Sequence, residues 1–175
     1  DGHQWFVVFT NETWRRTHPD IPRVKVILAA DEDGAALRFI GSFGHHPNWQ
    51  PDSSGIYAFA HGGRNTVLRW PAQGRPAEVM AELPCEGHPC VHPGGRWLAS
   101  DSQRWPGPGR SSVVLHDLQT GQTTTVAEMP YPRVAWQKLH PTERVCHAHP
   151  VWSVDGTRLY FNMIVDEMPR LCVAD

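Results

Sequence analysis

Charge is scarce in this 175-residue chain: Asp, Glu, Lys and Arg make up 19%, and 16 basic against 18 acidic side chains leave a formal charge of −2. Such a chain lacks both the charge excess of a disordered segment and the basic balance of a nucleic-acid-binding domain. No apolar run approaches the ~18 residues of a membrane span, and no Lys/Arg-led signal segment opens the sequence. The expectation is therefore a soluble protein, cytoplasmic or periplasmic, with neither nucleic acid nor membrane as partner. The four cysteines, Cys85, Cys90, Cys146 and Cys172, are too few and too scattered for a disulfide scaffold. Gly-x-Ser-x-Gly, P-loop and dinucleotide fingerprints are missing, which leaves hydrolase and nucleotide chemistry without support. A sustained apolar period of 3.6 residues is missing too, so helical bundles and βαβ folds fit poorly.

What is plentiful is His (11), Pro (16), Gly (15) and Trp (8). Much of this surplus resolves into a repeat, since three segments align on a His-Pro dipeptide: HPNWQPDSSGIYAF from His46, HPCVHPGGRWLASD from His88 and HPVWSVDGTRLYFN from His149. Each runs from His-Pro through a short strand and an Asp/Gly-rich turn into an alternating apolar strand. Asp1-Gly2 followed by WFVVFTNE is a partial fourth copy. The first interval is 42 residues, the length of one four-stranded propeller blade, and the second is 61, which places an insertion at 130–144. Short β-prone runs separated by turn residues at 8–12-residue spacing predict all-β structure. The one ambiguous run is Ala77–Ala81, where Ala, Glu and Met would equally suit a helical turn.

Counting strands gives 3 + 4 + 4 + 3, about three and a half blades: a partial blade at 1–44, blades at 45–86 and 87–147, and a partial blade at 148–175. Complete propellers typically close with 4–8 blades, so the fold expected is a section of a β-propeller built from four-stranded antiparallel blades. Its open strand edges would be covered by the remaining blades or by a self-partner.

One His-Pro per blade, at the start of the innermost strand, sets His46, His88 and His149 around a common axis. Proline after each His predicts an extended backbone there. Converging imidazoles suit a borderline divalent cation, with Cys146 or His147 as further ligands. The alternative is structural: a repeat histidine bonding a carbonyl of the neighbouring blade. Trp49, Trp97 and Trp152 recur at matching or adjacent repeat positions and are expected to pack between blades. Trp105 and Trp136, in the Pro/Gly-rich insertions, are the candidates for stacking on a sugar ring. Trp14-Arg15-Arg16 reads as a surface loop, and Asn11-Glu12-Thr13 fits the short glycosylation sequon.

HHPNWQPDSSG (His45–Gly55), GHPCVHPGGRWLASD (Gly87–Asp101), LHDLQTG (Leu115–Gly121) and CHAHPVWSVDGTRLYFN (Cys146–Asn162) resemble the oligogalacturonate-lyase-like β-propellers and, more broadly, the TolB-type "WSPDG" repeats. The resemblance covers residues 45 to 175 in order. It implies a seven-bladed ring of which this chain is about half, and β-elimination on acidic, uronate-containing oligosaccharides. It further implies His46 as the base and His88, His147 and His149 as ligands of Mn²⁺, Zn²⁺ being the other cation to consider. The family's fourth ligand, a Gln three residues before the His-x-His pair, is replaced by Arg144, which cannot bind a cation but could help neutralise a substrate carboxylate. Gln137 is not at the spacing to replace it. His45, Trp105 and Trp136 are the candidate substrate contacts. The alternatives are a non-catalytic TolB-like propeller that binds a protein or ligand, and the propeller domain of a larger enzyme.

Overall fold

The computed structural model describes residues 4–34, 37–60, 65–73, 75–84, 87–102, 110–130, 147–166 and 168–175. Among them the regular structure is strand, apart from one short helical turn, α1 (Glu12–Arg15). The first sheet joins β1 (Gln4–Thr10), β2 (Lys25–Asp31) and β3 (Arg38–Ser42); the second joins β4 (His45–Trp49), β5 (Gly55–Phe59), β6 (Thr66–Pro71) and β7 (Glu78–Glu82). The third joins β8 (Cys90–Val91), β9 (Trp97–Ser102), β10 (Arg110–Asp117) and β11 (Thr123–Pro130); the fourth joins β12 (Val151–Trp152), β13 (Leu159–Val165) and β14 (Met168–Ala174). In every sheet the spatial order is the sequence order, an antiparallel meander. The strand counts are the 3, 4, 4 and 3 expected from the repeat. The ambiguous run at 77–81 is strand: pairing at the edge of the second sheet overrides the helix preference of Ala, Glu and Met.

The chain divides into two compact units, Asp1–Met80 and Ala81–Asp175. In the first, the side chains of β2 alternate, and Ile27 and Ala29 join Ile40, Phe43, Ile56, Ala58 and Trp70 in a core on which Phe6, Trp49 and Leu68 pack. The other row of this sheet, carrying Trp5, Val7, Phe9 and Phe39, is exposed. α1 and the residues after it fold back on themselves: the Arg15 Nε–H donates to the Ile21 carbonyl at 2.8 Å. The sequon amide of Asn11 is used internally, donating to the Pro22 carbonyl (2.9 Å) and accepting from the Val24 N–H (2.8 Å).

In the second unit, Ala99, Val113, Met129, Ala148, Leu159 and Phe161 form a core between the third and fourth sheets. Fully burying one such apolar side chain contributes about 1.5–3 kcal/mol. Two polar contacts lock the sheets together. The Trp152 Nε1–H donates to the Cys90 carbonyl at 3.2 Å, and His92 stands edge-on to Trp152 with its Nε2 3.0 Å from the Gly156 carbonyl. The Gly94 N–H donates to His92 Nδ1 (2.8 Å), so Nε2 carries the ring proton and is the donor to Gly156. His92, which is not one of the three aligned repeat histidines, thus bonds a carbonyl of the neighbouring sheet. Asp117 and Asp155 anchor turns by accepting from nearby backbone N–H groups, and Gly121 and Gly156 follow at φ 74° and 73°, where only glycine is unstrained.

Candidate functional site

The loops that lead into the innermost strands of the second unit carry its chemistry. His88 lies two residues before β8, and His147 and His149 lie on the approach to β12. Their ring nitrogens come together, with one ligand atom from each within 4.8 Å of the others. The His88 and His149 rings are in van der Waals contact, 3.5 Å between centroids, and His147 stands 5.2 and 5.7 Å from them.

Behind the three rings is a buried carboxylate that sequence reasoning did not single out. Asp101, on β9, is 2% exposed. Its Oδ1 accepts the His88 backbone N–H (2.7 Å), its Oδ2 accepts the His149 backbone N–H (2.9 Å), and His88 Nδ1 lies 2.8 and 3.0 Å from the two oxygens. Burial pushes this carboxyl up, but the His88 ring and the two backbone donors outweigh it and hold Asp101 below the ordinary carboxylate value. An ionised carboxylate only accepts, so Nδ1 of His88 bears the proton and Nε2 is the ligating atom. Burial, then repulsion by the His88 ring when it is protonated, pushes His147 and His149 down against the opposing pull of Asp101. Both are therefore neutral at pH 7, the form of imidazole that binds a metal.

The arrangement fits a divalent transition cation. Three imidazoles are a suitable donor set, and a carboxylate behind one of them is the usual outer-shell partner. With metal–nitrogen distances of about 2.1 Å, neighbouring ligand atoms sit about 3–3.4 Å apart, so ligand atoms spaced as widely as the 4.8 Å limit would close by roughly 1.5 Å on binding.

Two local features shape the site. A Cβ at Gly87 would overlap the Asp101 carbonyl oxygen, so only glycine lets this segment lie against β9. His149 has φ 44° and His46 has φ 56°, which corrects the expectation of extended backbone before proline. For His149 the reason is visible: its N–H is turned onto Asp101, and the bond to a buried carboxylate offsets the strain.

His46 lies in the first unit at β4, with its ring edge-on to that of His45 at 4.6 Å; His45 in turn stacks on Phe59 at 5.1 Å. Trp49 and Trp152 pack on their units' cores, as their repeat positions suggested, and Trp97 lies under the Arg96 guanidinium at 4.9 Å. Arg144, Cys146, Trp105, Trp136, Gln137, Cys85 and nearly all of the 130–144 insertion lie outside the described residues. Asp101 could have been found in the sequence. It stands 13 residues after His88, and Asn162 stands 13 after His149; Asn162 bonds the His147 carbonyl through Nδ2 (3.3 Å) and the Ala148 carbonyl through its backbone N–H (2.8 Å).

No protein-family model matches the chain, and no curated protein matches it. Solved structures do. An oligogalacturonate lyase in complex with manganese is 18% identical over 84% of this chain and 40% of its own, with a TM-score of 0.64. The β-propeller domain of the Trilobed protease from Pyrococcus furiosus is 13% identical over 99% of this chain and 51% of its own, with a TM-score of 0.57. TolB from Acinetobacter baumannii is 15% identical over 86% and 46%, with a TM-score of 0.50. The chain thus spans about half or less of the length of the structures it resembles. At these identities the likeness shows the fold: antiparallel blades of a β-propeller of the oligogalacturonate-lyase and TolB type.

Proposed function

We propose that this propeller section carries the cation-binding part of a site for acidic oligosaccharides and serves metal-assisted β-elimination at uronate residues. The observation that carries the reading is the convergence of His88, His147 and His149 in front of Asp101, on a fold shared with a lyase in complex with manganese. These three histidines would hold Mn²⁺ or Zn²⁺, which supplies positive charge to a substrate carboxylate as enolate character develops.

The remaining roles fall to the chain's own side chains. His46 is the base, since an imidazole exchanges protons near neutral pH. It takes the proton α to the carboxylate; the pair of electrons left behind forms the new C=C bond, the β C–O bond breaks, and the leaving oxygen is protonated from solvent. Arg144 adds a second positive charge for the carboxylate. His45, Trp105 and Trp136 contact the sugar, the indoles through their faces.

The test is metal analysis of the purified protein, together with the ultraviolet absorbance of unsaturated product from oligogalacturonate. Stoichiometric Mn²⁺ or Zn²⁺ that is lost in the H147A/H149A variant, with a rise in absorbance in the wild type alone, is the expected result. Absence of both metal and product overturns the reading. The likeness to TolB supports a second reading, a non-catalytic propeller that binds a protein or ligand; metal without product would favour it.

A further inference from the structure

Asp101 does more than accompany one ligand. Its two oxygens are shared between the backbones of two segments that lead into different sheets, and both of its oxygens also face the His88 ring. Nothing else among the contacts described joins His88 and His149 in this way. The neighbouring repeat uses the same place for the same purpose, for Asn162 ties down the segment carrying His147 and Ala148. In the repeat that begins at His46 the corresponding residue is Phe59, which has no polar side chain to offer. The pattern follows the histidine cluster and not the fold, because the second sheet forms its blade without it.

We propose that Asp101 is a positioning residue that assembles the imidazole cluster, holding His88 through its ring as the Nδ1–H tautomer and His149 through its backbone. The proposal rests on the metal-site reading for its consequence, but the positioning itself belongs to the metal-free protein. Two requirements follow from the geometry. Both oxygens must accept, because each faces a backbone N–H. And the group facing Nδ1 must accept, because a donor there would force the ring proton onto Nε2, the atom needed for a ligand.

Asp101→Asn violates both requirements at constant size. One oxygen becomes an NH₂ group, which must face either the His149 N–H or the backbone N–H and ring of His88. The first readout is the tautomer of His88 in metal-free protein, from long-range ¹H–¹⁵N correlation of the imidazole nitrogens. The wild type should show Nδ1–H, and D101N should show loss of that form. The second readout is Mn²⁺ or Zn²⁺ affinity by titration with the metal alone, which should fall by about 10–100-fold in D101N, as for other outer-shell partners. The proposal is overturned if His88 is not the Nδ1–H tautomer in the wild type, a measurement that stands even if the variant fails to fold. It is equally overturned if folded D101N keeps that tautomer and binds metal within two-fold of wild type. If the wild type shows Nδ1–H yet binds neither metal, the cation reading fails and the positioning of His88 by Asp101 stands.

Discussion

A methyl group at Gly87 is the smallest change that should disturb the site while leaving every histidine and Asp101 in place. The added Cβ would overlap the Asp101 carbonyl oxygen and lie 2.6 Å from Oδ1 of the same residue. Two of the three nearest atoms belong to the backbone of a central strand, paired on one side with β8 and on the other with β10, so no flexible chain end can move aside. Relief must come from the segment that carries His88. Backing away lengthens the 2.7 Å bond from the His88 N–H to Asp101, and a shift of 1 Å ends it. Overpacking of this kind costs about 1–3 kcal/mol. A lost hydrogen bond to a charged group adds roughly 1.5–3 kcal/mol. Gly87→Ala should therefore lower stability by about 2.5–6 kcal/mol in urea denaturation followed by tryptophan fluorescence, and should weaken Mn²⁺ binding at least ten-fold. Gly95→Ala is the matched control. Gly95 has φ 75° but no atom within 4 Å of an added Cβ. It should cost only the left-handed backbone strain, about 1–2 kcal/mol, and leave metal affinity unchanged. Equal effects of the two substitutions, or an unchanged midpoint and affinity in Gly87→Ala, would refute the reasoning.

Two further predictions concern pH. His147 and His149 titrate below the ordinary value of 6.5 in the folded chain because of burial and repulsion by the His88 ring when it is protonated. The unfolded chain thus binds more protons below about pH 6.5, and stability should be highest above that value and decline as pH falls through it. Denaturation midpoints between pH 8 and 5 should show this decline, and it should be shallower in H147A/H149A; an identical slope would count against the lowered titration of these rings. Asp117 is held at about 2 by its hydrogen bond from Arg96, with the backbone N–H of Gln119 as a further donor. Its contribution is complete above the ordinary carboxylate value of 3.8 and is lost as pH falls toward 2. Asp117→Asn should lower stability at pH 7 and lose less between pH 4 and 2 than the wild type, as read from acid unfolding by circular dichroism.

The fold could be read from the sequence because a repeat reports it three times over. A strand of five residues is ambiguous alone, but Ile56–Ala58, Leu98–Ser100 and Leu159–Phe161 occupy one place in three copies and all lie in the second strands of their sheets. Even the ambiguous run at 77–81 was settled by its place as the fourth element of a copy, and not by its own propensity. Two of the three histidines of the cluster, His88 and His149, were legible for a related reason: His-Pro is the anchor on which the copies align. What the alignment hides is any difference between copies, and the site consists of such differences. Asp101, Asn162 and Phe59 share a place in the repeat, yet only the first two bind the histidine-bearing segments through a polar side chain. Similarly, His92 sits where the other copies have Gln50 and Ser153, and it is His92 that bonds the next sheet. The backbone at His149 was unreadable because its cause lies 48 residues away. Proline disfavours one conformation locally, while the buried carboxylate selects another through a bond that no window of sequence contains. The candidate site is therefore where the copies stop agreeing, and replacing Asp101 or Asn162 by an apolar residue of similar size should disrupt the histidine cluster while leaving the blades intact.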